Sequence, residues 1–258
     1  MQDRREPRAG RPRRTRRRGT RAGAGVGLPV SEATGRTVRI DTHLHTTASY
    51  DGETLPEELL GRAEAVGLDG VVVTDHDTVD GAHVVADLAA ESSVTAVVGC
   101  EVSTADGHLL AIGVEDAPPA GDSLAETAER VRKAGGVAVV PHPFQRSRHG
   151  ANATTIDDVD GVEVYNAHTL VNFRNEQAER YARRHGYPAF GGSDAHRPSG
   201  IGLAATEVQL EPGAACTPEA VVAAMRAGRT AAVGRRTSTW QYVRKLVANA
   251  RSKTPSLR

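Results

Sequence analysis

Aromatic side chains are scarce: three Phe, five Tyr and one Trp in 258 residues. Binding of single-stranded nucleic acid normally stacks bases on such rings, so little material exists for that mode. Cys100 and Cys216 are the only cysteines, too few for a disulfide framework. Free thiols in a reducing cytoplasm are expected instead. No apolar stretch approaches the ~18 residues of a membrane helix. No apolar core follows the N-terminal arginines, so neither a membrane span nor a secretory signal is expected.

Net charge is missing too, but the formal zero hides a split. Residues 1–22 hold ten arginines against Asp3 and Glu6; of the chain's 32 basic and 32 acidic residues, 22 and 30 then remain for residues 23–258. The body is therefore acidic, at about −8, and the tail basic. Residues 1–36 are rich in Arg, Gly and Pro with almost nothing to bury, and are expected to be disordered. They read as a floppy extension or as an electrostatic arm for a polyanion such as nucleic acid. Ordered structure is expected to begin near Thr37.

From there strand and helix patterns alternate over a length that suits one α/β barrel. Beyond a first strand around Val38, strands are expected at 70–74, 95–102, 137–140, 161–165, 188–191, 205–210 and 230–233. Asp106-Gly107 is a turn signal, with 108–114 as the returning strand of a hairpin. Helices are expected at 56–66 (Thr54 as N-cap, Gly67 closing it), 81–90, 123–134, 172–185 and 218–227. A terminal helix over 239–250 carries the only Trp, Trp240.

Five of the apolar runs end in His, Asp or Glu. They finish in Asp41-Thr42-His43-Leu44-His45, Thr74-Asp75-His76, Gly99-Cys100-Glu101, Pro141-His142 and Gly192-Ser193-Asp194-Ala195-His196. Buried parallel strands read as Val/Ile-rich runs, and donors at their downstream ends gather at one mouth of a barrel. Asp41, His43 and His45 alternate, so they share a face; the histidines suit one metal ion, and Asp41 suits a hydrogen bond that orients a ring. Asp194 and His196 share a face likewise, and Gly191-Gly192 before them permits a sharp bend. Glu101 ends a buried strand, where an unpaired carboxylate is costly and one bridging two cations is not. His142, between two prolines, is expected in a restricted, extended backbone. His108 heads an apolar run, and Asp51 sits in an Asp-Gly turn at the same mouth. This is the pattern of a hydrolytic metalloenzyme.

These segments, in this order, resemble the successive motifs of the PHP (polymerase and histidinol phosphatase) family across about Val38 to Gly202. Trp240-Gln241-Tyr242 resembles the C-terminal stretch of short stand-alone members. The resemblance implies a distorted (β/α)7 barrel over 37–202, completed by a PHP-associated segment over 203–258, with the metal site at the C-terminal ends of the strands. It implies two or three zinc, manganese or iron ions. His43, His45, Glu101 and Asp194 would surround the first, with Glu101 bridging to a second held by His108 and His142. Asp51, His76 and His196 would complete a third.

The activity so implied is hydrolysis of a small phosphomonoester by a metal-bound hydroxide. Asp194, His76 and His196 would be the catalytic residues, the two histidines as alternatives to a metal-bound water for protonating the leaving group. Arg146 and Arg148 are candidates to grip phosphate in bidentate fashion, with Arg197 and Asn166 as further substrate contacts and His168 as a rim residue or an extra ligand. A second reading is a 5′-to-3′ exonuclease or nucleotide-bisphosphate phosphatase on short oligonucleotides. A third, a non-catalytic metal-binding module, predicts missing donors, whereas all nine positions carry competent ones. An amidohydrolase of the same barrel type would use a bridging lysine, and no lysine ends any of these strands. No oligomeric state follows from the sequence.

Overall fold

A computed structural model describes residues 35–169 and 172–234. The expected tail and the terminal helix with Trp240 lie outside the described residues, except Gly35 and Arg36. Within them every expected strand and helix is present, with ends displaced by at most two residues.

The strands are β1 (Thr37–Leu44), β2 (Gly70–Val73), β3 (Thr95–Thr104), β4 (Gly107–Ile112), β5 (Val137–Val140), β6 (Gly161–Asn166), β7 (Ala189–Gly192), β8 (Ala204–Gln209) and β9 (Thr230–Gly234). The helices are α1 (Pro56–Ala65), α2 (Asp80–Ala89), α3 (Leu124–Lys133), α4 (Phe173–His185) and α5 (Pro218–Arg226). Prolines at the first turn start α1 and α5. A reciprocal Ser123–Glu126 capping box starts α3. Gly186, in the left-handed conformation, stops α4. The α1 cap differs from expectation. Leu55 occupies that position without a side-chain bond, because the Thr54 carbonyl is engaged by Thr47 N–H in closing the preceding loop.

One mixed sheet runs β7-β6-β5-β4-β3-β2-β1-β8-β9 and curls until its ends meet. The C-terminal end of β1 bonds to the segment after β7: Asp194 N–H donates to His43 O at 2.8 Å and His45 N–H to Ala195 O at 3.0 Å. The N-terminal half of β1 pairs instead with antiparallel β8. Seven strands thus close a barrel. Its distortion is the β3–β4 hairpin, which sets β4 antiparallel to both neighbours. The interior is filled by Ile40, Val72, Val97, Leu110, Val139 and Phe190, all 2% exposed or less. Helix α5 adds Val221, Ala224 and Met225 to the same cluster. Side chains of this size each contribute about 1.5–3 kcal/mol when fully buried, so this end is a packed plug. The downstream strand ends are left for polar chemistry.

Candidate metal centre

The nine donors named from the sequence converge at that downstream mouth. Glu101 stands at the centre, 1% exposed. Its Oε2 lies 3.1 Å from His43 Nε2, 3.3 Å from His45 Nε2 and 3.5 Å from His76 Nδ1. Its Oε1 lies 2.8 Å from His108 Nδ1 and 2.9 Å from His142 Nε2. One carboxylate therefore faces two separate sets of imidazoles with its two oxygens. Asp194 Oδ1 adds to the first set, 3.7 Å from His43 Nε2 and 3.5 Å from His45 Nε2. Asp51 Oδ2 gathers a third group, 3.0 Å from His196 Nε2 and 3.5 Å from His76 Nε2. His168 also enters the donor field, with Nδ1 3.8 Å from Asp194 Oδ1 and its side chain half exposed at the rim.

These donors fit divalent cations. Ligand atoms bound at about 2.0–2.3 Å from one ion in a tetrahedral site stand roughly 3.3–3.8 Å apart, and the donor contacts here run from 2.8 to 3.8 Å. Buried polar atoms nearly always have partners, yet both ring nitrogens of His45, Nδ1 of His76 and of His142, and Oδ1 of Asp194 make no hydrogen bond. Such atoms collected around one carboxylate match a cage of oxygen and imidazole ligands.

The electrostatics agree. Burial opposes the charged form of Glu101, but His43 and the hydrogen bonds from His108 and His142 hold it well below the usual carboxylate range. Burial likewise opposes Asp194, and His43 and Arg148 outweigh it. Burial also disfavours protonating His43 and His45, but the surrounding carboxylates raise His43 well above the ordinary value and His45 to about 9. Burial keeps His76, His142 and His196 low, in the neutral form that ligates. Near pH 7 the metal-free cage thus carries protons where cations would sit. Zinc added to metal-free protein in weak buffer at that pH is expected to release protons as it displaces them from His43 and His45; a pH electrode that registers none would contradict this arrangement. His45 has a folded pKa above its unfolded 6.5. Its contribution to metal-free stability is therefore present below pH 6.5 and lost as pH rises through about 9. A thermal scan of the metal-free chain should show Tm falling across that window.

Several sequence expectations need correction. Asp41 does not orient a ring. It accepts backbone N–H groups from Ser193 and Gly202, both at 2.9 Å, and so shapes the β7 exit. His43 Nδ1 is held instead by Glu163 Oε1 at 3.1 Å. Glu163 escaped the sequence reading because it lies mid-strand, although a carboxylate inside an apolar run was the available signal. His142 is not extended but has φ +30°, and Asp194 has φ +54°. Non-glycine residues in this region cost about 1–3 kcal/mol each and persist where their surroundings fix them. His142 is fixed by its N–H bond to Glu163 Oε2 at 2.7 Å and by Glu101 on its ring.

The arginine clamp is not formed. Arg148 pairs with Asp194 and reaches Asn166 Oδ1 at 3.3 Å. Arg146 lines an adjoining recess of about 400 Å³ together with Tyr50, His149 and the β3–β4 turn. Arg197 pairs with Glu53 at the surface, 2.7 Å away, and does not line the cleft over the donors. Asn166 is buried and donates to Glu163 and Asp194, each at 2.9 Å, so it supports the cage rather than touching substrate. The cleft itself, about 340 Å³, is walled by Tyr50, Ser147, Arg148, His149 and His168 above the donors. Tyr50 stacks on His76 with centroids 4.9 Å apart, and His149 on His108 at 5.3 Å.

A barrel whose strand ends converge on a carboxylate shared by five imidazoles defines a metal-binding α/β barrel. The PHP domain model matches residues 41–187 and the PHP-associated model residues 172–230; the chain belongs to the PHP family. An uncharacterized protein of Methanocaldococcus jannaschii is 32% identical over 142 residues, 51% of this chain and 83% of that protein. A 5′-3′ exoribonuclease of Haemophilus influenzae is 32% identical over 101 residues, 38% of this chain and 36% of the enzyme. Among solved structures, a two-domain protein of Bacteroides vulgatus with a predicted PHP-like metal-dependent phosphoesterase superposes with a TM-score of 0.62. That match has 21% identity and covers 88% of this chain and 75% of the other; it carries the fold. No helix among the described residues is long and apolar enough to cross a membrane.

Proposed function

We propose that this chain is a metal-dependent phosphoesterase that hydrolyses a small phosphomonoester. The observation that carries the reading is Glu101, whose two oxygens face two imidazole sets across one carboxylate. Divalent ions bound there would supply an acidified water near neutral pH and positive charge for the attacking and leaving oxygens of an in-line displacement. The chain's own residues do the rest. His43, His45, Asp194, His108 and His142 hold the cage, and Asp51, His76 and His196 form its outer group. His76 and His196 both face Asp51, which suits ligand roles. Proton delivery to the leaving alkoxide then falls to a group on the open side, where His168 stands. Arg148 presents a guanidinium at the cleft wall, in reach of a phosphate.

A second reading, on nucleotide bisphosphates or short oligonucleotides, is favoured by the adjoining recess with Arg146, Tyr50 and His149 and by the similarity to an exoribonuclease. The test is elemental analysis of protein purified without added metal. A phosphoester panel with Mn or Zn follows: mononucleotides, nucleoside bisphosphates, histidinol phosphate and a short 5′-phosphorylated RNA. Two or more ions per chain and cleavage of a small monoester are expected. Less than one ion, with no cleavage after metal addition, would reject the enzyme reading.

A further inference from the structure

Glu163 lies outside the nine donors, in the middle of β6, and is 1% exposed. A carboxylate this deep is costly unless its oxygens are engaged. Its Oε1 stands 3.1 Å from His43 Nδ1. Its Oε2 accepts from the His142 backbone N–H at 2.7 Å and from Asn166 Nδ2 at 2.9 Å. The same Asn166 nitrogen donates to Asp194 Oδ2 at 2.9 Å. Directly or through one amide, Glu163 thus reaches His43, His142 and Asp194, which together form one of the donor groups able to hold a cation.

We propose that Glu163 is a positioning residue that fixes His43 as an Nε2 ligand and, with Asn166, holds His142 and Asp194 in register around Glu101. The control is over the His43 tautomer. An ionised carboxylate only accepts, so neutral His43 keeps its proton on Nδ1. Its Nε2, which faces Glu101 and Asp194, is left with a free lone pair. In Glu163→Gln the two N–H donors at Oε2 decide how the new amide sits. Its oxygen must take that position, because an NH2 there would face two donors. The NH2 then points at His43 Nδ1, which becomes an acceptor while the proton moves to Nε2. A side chain of the same shape thereby selects the tautomer that cannot ligate.

This rests on the metal-cage reading, and the experiment separates the two. Wild type, Glu163→Gln and Asp51→Asn are dialysed against zinc, analysed for metal and titrated with a competing chelator. Asp51 has Ser49, His76 and His196 as partners, so its variant probes a different position. Glu163→Gln is expected to bind one ion fewer per chain, or that ion about 10–100-fold more weakly. Asp51→Asn should lose a different ion, and the double variant both. If Glu163→Gln does not fold, nitrogen-15 NMR of zinc-loaded wild type decides: His43 Nδ1 should carry an exchange-protected proton. A bare Nδ1, or wild-type stoichiometry and affinity in folded Glu163→Gln, overturns the proposal while leaving the cage intact. A wild-type chain that takes up no zinc overturns both.

Discussion

Glu101→Gln is expected to reduce phosphoesterase turnover roughly a thousandfold while leaving a folded barrel. Glutamine keeps the volume but offers one acceptor where the site needs two. Whichever way the amide lies, its NH2 faces either His43 and His45 or His108 and His142, and one cation position loses its anionic ligand. Metal charge at a phosphoryl group is worth several kcal/mol of transition-state stabilisation, and about 1.4 kcal/mol corresponds to each tenfold in rate. The fold should survive because β3 is held by backbone pairing to β2 on one side and β4 on the other. Steady-state kinetics, elemental analysis and circular dichroism check the three parts separately. Turnover within tenfold of wild type, with a full metal complement, would mean that Glu101 bridges nothing of catalytic importance.

The legible part of this molecule was the part written in period and position. Val-rich runs ending in donors located the strands, the mouth and seven of the nine residues that converge there, because a strand's downstream end needs no long-range information to be recognised; His108, which heads a run, and Asp51, in a turn, came from outside these ends. What escaped depends on partners distant in sequence. Alternation put Asp41 and His43 on one face, but only the fold shows that His43 meets Glu163, 120 residues away, and not its near neighbour. Flanking prolines argued for an extended His142, and two bonds across the barrel override that local preference. Arg146 and Arg148 are two residues apart, yet a single 3₁₀ turn sends them to different recesses. In the sequence, Gly191-Gly192 suggests a bend. Neither residue has positive φ, so their glycine character answers to space and not to conformation.

That distinction makes Gly192→Ala a sharp test of how the barrel seam and the cage depend on each other. Gly192 ends β7, where β1 closes against it. A Cβ there would lie 2.5 Å from the His43 Cβ and 2.7 Å from Glu163 Oε1, with the His43 backbone N at 3.2 Å. Two of these three atoms are not the free end of a flexible side chain, so relief requires moving β1 or breaking the Glu163–His43 contact. Overpacking of this kind costs about 1–3 kcal/mol, or roughly 2–10 °C in Tm for a domain of this size. The disturbance should also appear as weakened metal binding, because the atoms displaced are those that orient His43. Gly61 is the control: it lies in α1 without positive φ, and a Cβ there meets nothing within 4 Å. Gly61→Ala should therefore raise stability by roughly 0.5–1 kcal/mol through helix propensity and leave metal binding unchanged. If the two alanine variants shift Tm in the same direction, or if Gly192→Ala keeps wild-type metal affinity, the close approach of β7 to His43 is not what holds the cage in register.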